Sequence, residues 1–199
     1  MATTTTQAKV VIDTENKPEN LPSFKEVIER CFAERPRQST ATNIRGVRLT
    51  LNKSSGNEVS DIWVKFGSNI TMGETKTQRF VTQYLEANDN PVVRAPRVYI
   101  AFMWGRYGFI VMEYTDEQIC GNDDIALVAA AVQSLIDIPS PTSTPGPVGG
   151  GLIEHSFFID GTSSIRYESV KELQDHINGV RAPFCLARLV PLATWLLPR

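Results

Sequence analysis

Ile62-Trp63-Val64-Lys65-Phe66-Gly67 is the stretch that decides how this chain folds, because it is an apolar strand with one lysine inside it. A helix that opens Thr71-Met72-Gly73-Glu74 follows directly. A second apolar strand comes later, Phe109-Ile110-Val111-Met112-Glu113-Tyr114. Two such runs with a helix between them predict a sheet with one helix packed against it.

The lysine in the first strand can be interpreted in two ways. Side chains alternate along a strand, so Trp63 and Lys65 share one face, and the other face is formed by Ile62, Val64 and Phe66. On an edge strand, the lysine would extend to solvent. Inside the sheet it would pair with an anion, because an unpaired buried charge costs on the order of several kcal/mol.

Glu74 is the acid placed to meet Lys65. The helix predicted over residues 71–87 puts Glu74 on the same side as the apolar Leu85. Thr71 and Glu74 also have the spacing of a capping box, in which the carboxylate would bond its own helix terminus. The sequence leaves both roles open.

A strand lysine, an acid early in the next helix and a strand that runs into Met112-Glu113-Tyr114 together resemble the nucleotide-binding lobe of a known family. That family is the aminoglycoside phosphotransferase and choline kinase family, particularly its fungal members. The resemblance covers residues 45–178. In such a lobe the turn at residues 52–57 would cover the nucleotide phosphates. With one glycine and two serines, it is equally typical of a plain surface turn.

The resemblance implies ATP-dependent phosphorylation of a small-molecule hydroxyl group, with Mg²⁺ as the metal. It also implies roles for individual residues. Lys65 would hold the nucleotide phosphates and Glu74 would orient Lys65. The connector after the second strand would line the adenine with Met112, Glu113 and Tyr114.

The order of the predicted elements gives an α+β fold. A protein-kinase-like N-terminal lobe, an antiparallel sheet plus one helix, is followed by a truncated, mainly helical C-terminal part. Residues 1–20 are polar and are predicted to be a flexible arm. Residues 21–114 form the nucleotide-binding lobe with a preceding helix, residues 115–179 a partial C-terminal lobe, and residues 180–199 an atypical apolar tail.

Two helices and a hairpin are predicted in the C-terminal part. The first helix, capped by Asn122 or Asp123, ends at Ile136 and is apolar over most of its surface, so we expect it to be buried. Residues 138–151 are rich in Pro and Gly and predict a loop. Strands at residues 156–159 and 164–167 would flank a tight turn.

The last helix is predicted from Ser169 to Asn178. Ser169 and Glu172 have capping-box spacing, and Gly179 is expected to end the helix. A similar capping box, Ser23 with Glu26, predicts the start of the helix near the N-terminus.

The tail sets an expectation about chemistry. Phosphoryl transfer needs a group that positions the acceptor hydroxyl and an acid that holds Mg²⁺. In the family both lie beyond the helix predicted at residues 169–178, yet residues 180–199 contain no Asp, Glu, Asn or His. The sequence therefore offers no catalytic residue and no metal ligand, and we expect a catalytically incomplete chain.

Two explanations of the tail remain open. It could be an unspliced intron read in frame, or an amphipathic segment that docks on an exposed face through Leu189, Leu192 and Leu196. Its prolines argue against contact with a membrane surface. For function, the alternatives to a phosphotransferase are a pseudoenzyme lobe that binds nucleotide or protein, and a non-functional truncated product.

The amino-acid composition limits the kinds of partner and the cellular location that we expect for this protein. A net charge of −2 argues against nucleic-acid binding through clustered positive charge. The 3 widely spaced cysteines favour a reducing, cytoplasmic location over a disulfide framework. The N-terminal residues lack the apolar core of a signal peptide. No apolar run approaches the ~20 residues of a membrane span.

Overall fold

The computed structural model describes residues 7–34, 45–51, 60–90, 92–116 and 120–181. The strands and helices are β1 Lys9–Asp13, α1 Phe24–Ala33, β2 Arg45–Leu51, β3 Ser60–Gly67, α2 Met72–Ala87, β4 Val98–Trp104, β5 Tyr107–Glu113, α3 Ile125–Ile136 and α4 Val170–Arg181. A short 3₁₀ turn, Asn122–Asp124, precedes α3. The chain divides into two compact units between Gly121 and Asn122.

The strands of the first unit form one five-stranded antiparallel sheet in the order β1-β4-β5-β3-β2. β5 therefore lies at the centre, and its apolar residues are buried from Gly108 to Met112. In the pairing register, Lys65 of β3 is opposite Gly46 of β2 on one side and Ile110 of β5 on the other. The predicted α+β class and antiparallel sheet are confirmed.

One face of the sheet packs against α1. Val27 and Cys31 of this helix join a buried cluster with alternate strand residues, among them Val64 of β3 and Phe109 of β5. Ser23 and Glu26 form the predicted capping box at the start of the helix. Burial raises the pKa of the Cys31 thiol to about 12, so this cysteine is an un-ionised core residue.

The opposite face carries α2. Because side chains alternate along a strand, Ile110 and Met112 of β5 point away from α1 and form a second cluster with Ile70. Met72, in the first turn of α2, packs against this cluster. Trp63 packs there too, so the predicted division of β3 into two faces is confirmed.

The prediction of a loose arm over residues 1–20 is wrong for residues 9–13. These residues are β1, which pairs with β4 at the edge of the sheet. Ile12 is buried in the second cluster, and Thr14 donates its backbone N–H to the Tyr99 carbonyl at 3.0 Å. The short apolar run in residues 9–13 forms a strand because the edge of β4 is available for pairing.

In the second unit, the predicted burial of the first helix is wrong. α3 has no buried residue, although most of its side chains are apolar. Its N-cap is Asp124 and not the predicted Asn122 or Asp123, because the 3₁₀ turn Asn122–Asp124 delays the start of the α-helix to Ile125. Apolar composition predicted burial, but the described residues of this unit leave the helix surface uncovered.

The predicted hairpin around Asp160-Gly161 is also wrong. The segment forms turns closed by a single antiparallel bridge between Glu154 and Thr162. The hydroxyl of the buried Ser163 accepts the Ile153 N–H at 2.9 Å and donates to the Ile165 carbonyl at 2.9 Å, so the Ile165 carbonyl is bonded to a side chain and not to a strand partner. A turn closed by the Gly161 N–H and the Phe158 carbonyl at 2.8 Å is present, but the strands predicted at residues 156–159 and 164–167 do not form.

The last helix is longer than predicted. Ser169 accepts the Glu172 N–H at 3.2 Å, as expected for a cap, but the Glu172 carboxylate accepts from the Glu168 N–H at 2.7 Å. The helix then continues through Gly179 to Arg181, so the predicted end at this glycine is wrong. Among the described residues, no helix is both long and apolar enough to cross a membrane.

Candidate functional site

Lys65 is bonded to Glu74. The lysine ammonium group of β3 and the Glu74 carboxylate in the first turn of α2 form a hydrogen-bonded ion pair. The exposed fractions of the two side chains are 20% and 34%. Lys65 therefore pairs with an anion instead of extending freely to solvent, and the predicted contact between these two residues is confirmed.

The local sequence explains why α2 begins where it does. Thr71 has extended backbone angles, φ −107° and ψ 154°, and its hydroxyl accepts the Glu74 N–H at 3.2 Å. This is the side-chain half of a capping box. The Glu74 carboxylate, which would complete a capping box, instead pairs with Lys65. Glu74 therefore takes part in the cap through its backbone N–H and in the ion pair through its side chain.

The position of this helix start is fixed by a glycine that the sequence reasoning missed. A Cβ atom added to Gly108 of β5 would lie 2.3 Å from the backbone oxygen of Ile70, which precedes the N-cap. Ile70 itself is buried among the apolar residues of the same face. Close approach of two backbones requires glycine, and here it brings the first turn of α2 over the sheet beside Lys65.

A second glycine shapes the surroundings of the lysine. Gly46 is directly opposite Lys65 in the sheet register. A Cβ atom at Gly46 would lie 1.9 Å from Cζ2 of Trp63, so the indole ring occupies the space over this glycine. An isolated glycine inside a strand pattern is the signal that could have predicted such an approach. Lys65 is thereby flanked by an indole ring on the β2 side.

The middle of α2 is tied to the sheet independently of the ion pair. Gln78 donates its amide N–H to the Pro96 carbonyl at 3.1 Å and lies 3.4 Å from the sulfur of Met112. Thr82 donates its hydroxyl to the same carbonyl at 3.2 Å. The helix therefore stays in place through polar contacts with the segment before β4 and through apolar packing.

Met112 lies on the same sheet face as Lys65. It is buried, pairs with Trp63 in the strand register, and packs beneath α2. Its side chain belongs to the apolar floor of this face.

Glu113 and Tyr114 lie where β5 ends. The backbone N–H of Glu113 donates to the Arg97 carbonyl at 2.9 Å, and its carboxylate is paired with Arg94. Glu113 is opposite Ile62, three positions along β3 from Lys65. Strand rise places the end of β5 about 10 Å from the lysine.

Tyr114 belongs to a small polar and aromatic group. Its ring lies under the Arg48 guanidinium at 4.2 Å, and its hydroxyl donates to Asp116 at 3.1 Å. Arg48 is in turn ion-paired with Asp61. The arginine, with a hydrogen bond from Thr50, holds the pKa of the Asp61 carboxyl below its ordinary value.

Several predicted features lie outside the described residues. They are the turn at residues 52–57, named as the phosphate-covering loop, and residues 182–199 of the tail. Across the five described ranges, no group of three or more His, Cys, Asp or Glu side chains is arranged to hold a metal ion. No family model matches the sequence, and no curated protein or solved structure matches it either.

Proposed function

We propose that the first unit is a nucleotide-binding lobe of the protein-kinase-like type, in which Lys65 holds the phosphates of ATP. The observation that carries the proposal is the ion pair between Lys65 and Glu74, which joins the sheet to the helix that follows it. Glu74 would orient the lysine. Met112, Glu113 and Tyr114, about 10 Å along the strand direction, would line the adenine.

Energetics support a ligand-binding role for this pair. A partly exposed ion pair contributes only about 0–1 kcal/mol to stability, and an apolar replacement is often as stable. α2 is already held by Gln78 and Thr82 and by apolar packing. Holding α2 in place therefore does not require a lysine on this apolar face. A lysine that is held at a fixed position with part of its side chain exposed is suited to an anionic ligand such as phosphate.

The family reaction would be transfer of a phosphoryl group from ATP to a small-molecule hydroxyl, with Mg²⁺ neutralising charge on the phosphates. In this class of site, Mg²⁺ would be held by one or two protein carboxylates together with phosphate oxygens and water. We assign no metal ligand and no catalytic residue among the described residues. The proposal for this chain is nucleotide binding, with Lys65 and Glu74 as its phosphate-holding pair.

Thermal denaturation with and without Mg-ATP tests this proposal. A ligand that binds only the folded protein stabilises it by RT ln(1 + [L]/Kd), so saturating Mg-ATP should raise the Tm by several degrees. Lys65→Ala should abolish the shift. Magnesium tripolyphosphate should also stabilise the wild-type protein, since the proposed contact is to phosphate.

Arg97→Ala is the matched control. Arg97 is also ion-paired with an acid of α2, Glu86, but that pair lies near the far end of the helix. This variant should lower the Tm of the free protein and keep the full Mg-ATP shift. Absence of any shift in the wild-type protein, or an equal shift in Lys65→Ala, would overturn the proposal.

A further inference from the structure

Both Ser/Thr-Pro dipeptides of the sequence lie in the segment that follows α3. They are Ser140-Pro141 and Thr144-Pro145. Ser140 and Thr144 are exposed, as are Thr142 and Ser143 between them. The segment therefore presents to solvent two hydroxyl-bearing residues that are each followed directly by a proline.

The backbone of this segment takes no part in regular structure. Residues 138–153 are all described, and none of them belongs to a helix or a strand. The Ser140 hydroxyl donates to the Thr142 carbonyl at 2.6 Å, and the Thr144 hydroxyl donates to the Thr142 hydroxyl at 3.2 Å. Because both contacts are local, the segment can enter the groove of an enzyme without the unfolding of a helix or a sheet.

The prolines distinguish the hydroxyls of Ser140 and Thr144 from their neighbours. A proline disfavours the helical backbone for the residue before it, which biases Ser140 and Thr144 toward an extended conformation. Proline also has no N–H group. A groove that buries this position without an acceptor would leave the N–H of any other residue unsatisfied, and so it selects proline. A Ser or Thr hydroxyl in this setting fits the groove of a proline-directed protein kinase.

The charges of the segment disfavour a kinase that recognises basic residues. Residues 138–153 contain no Lys, Arg, Asp or Glu, and the charged residues on either side are the acids Asp137 and Glu154. A kinase that selects its substrate through ion pairs with Lys or Arg finds no such residue here. A kinase that selects proline needs none.

We propose that Ser140 and Thr144 are phosphorylation sites for a proline-directed Ser/Thr protein kinase. The hydroxyl oxygen bonds to the γ-phosphorus of the ATP held by that kinase, and the bond from this phosphorus to the β,γ-bridging oxygen breaks. ADP leaves, and the hydroxyl proton passes to the base of the kinase. Each phosphate adds a charge of about −1.5 to −2 to a segment that has none. This inference does not depend on nucleotide binding by the first unit.

Incubation of the full chain with Mg-ATP and a purified mitogen-activated protein kinase tests the proposal. Mass spectrometry should find phosphate at Ser140 and Thr144 and none at Thr142 or Ser143. Pro141→Ala should slow transfer to Ser140 by about tenfold or more, as expected for an unsatisfied buried N–H, and leave transfer to Thr144 unchanged. Pro145→Ala should have the reverse effect, so each variant is the control for the other.

A synthetic peptide of residues 136–148 tests whether the folded chain presents these hydroxyls. Because no unfolding is required, the full chain should be phosphorylated at a rate within about tenfold of the peptide's rate. A rate about a hundredfold or more below that of the peptide would contradict the proposal, because the hydroxyls would then be accessible only after unfolding. Absence of phosphate at both residues, or transfer rates that neither proline substitution changes, would also overturn it.

Discussion

At the scale of single residues, two glycines and one acid decide the geometry around Lys65. Gly108 admits the backbone of Ile70 and Gly46 admits the Trp63 indole. Glu74 turns its carboxylate to the lysine. The ion pair could be predicted from the sequence because both charged residues lie next to a short strand–helix connector. The glycine contacts could not, since each depends on which strand becomes the neighbour.

Asp61 gives a prediction about pH. Arg48 lowers the pKa of this carboxyl in the folded protein. A carboxyl with a depressed folded-state pKa contributes stability above its unfolded-state pKa of about 3.9, and the contribution is lost as the pH falls through the folded-state value. The urea midpoint of the wild-type protein should therefore drop more steeply below about pH 4 than that of Asp61→Asn.

Asp160→Asn is the control for this comparison, because Asp160 is exposed in a turn of the second unit. Its urea midpoint for the first unit should follow the wild-type curve. Parallel curves for the wild-type protein and Asp61→Asn would show that the Arg48 pair contributes no pH-dependent stability.

At the scale of elements, the periodicity of apolar residues predicted most of the helices and strands, but it did not predict what each of them packs against. The apolar side chains of α1 pack against the sheet. Those of α3 have no residue buried among the described parts of the chain. β1 was missed because its pairing depends on the free edge of β4, which lies far away in the chain. Likewise, the Ser163 hydroxyl bonds the Ile165 carbonyl, a group that the strand predicted at residues 164–167 would have used in a ladder.

Two glycine-to-alanine substitutions test how elements are positioned and where they end. Gly108→Ala should destabilise the first unit by about 1–3 kcal/mol, because the backbone of Ile70 cannot move aside without shifting α2.

Gly179→Ala should stabilise α4 by up to about 1 kcal/mol, since Gly179 lies within the helix and has open space around it.

Chemical unfolding, with the transition of each unit followed separately, gives both values. If Gly179 ended the helix in a left-handed conformation, alanine would instead destabilise α4. Destabilisation by Gly179→Ala would therefore support the predicted end of the helix at Gly179. A neutral Gly108→Ala would mean that the contact with Ile70 does not fix the start of α2.

At the scale of the whole chain, the α+β class and the antiparallel sheet follow from sequence patterns, and the structure agrees with them. A kinase-like role is a proposal that depends on the first unit. In the second unit both helices were predicted from sequence patterns, but the exposure of α3 was not, because its apolar composition predicted burial. Sequence patterns identify surfaces that need covering, and long-range contacts decide what covers them.

Chemical footprinting of lysines tests the central claim most directly. Lys65 has 20% of its side chain exposed and Lys25 of α1 has 84%, so both can be acylated, and mass spectrometry can follow each separately. If Lys65 holds the phosphates, Mg-ATP should strongly slow its acylation and leave that of Lys25 unchanged. An unchanged acylation rate of Lys65 at saturating Mg-ATP would contradict the account.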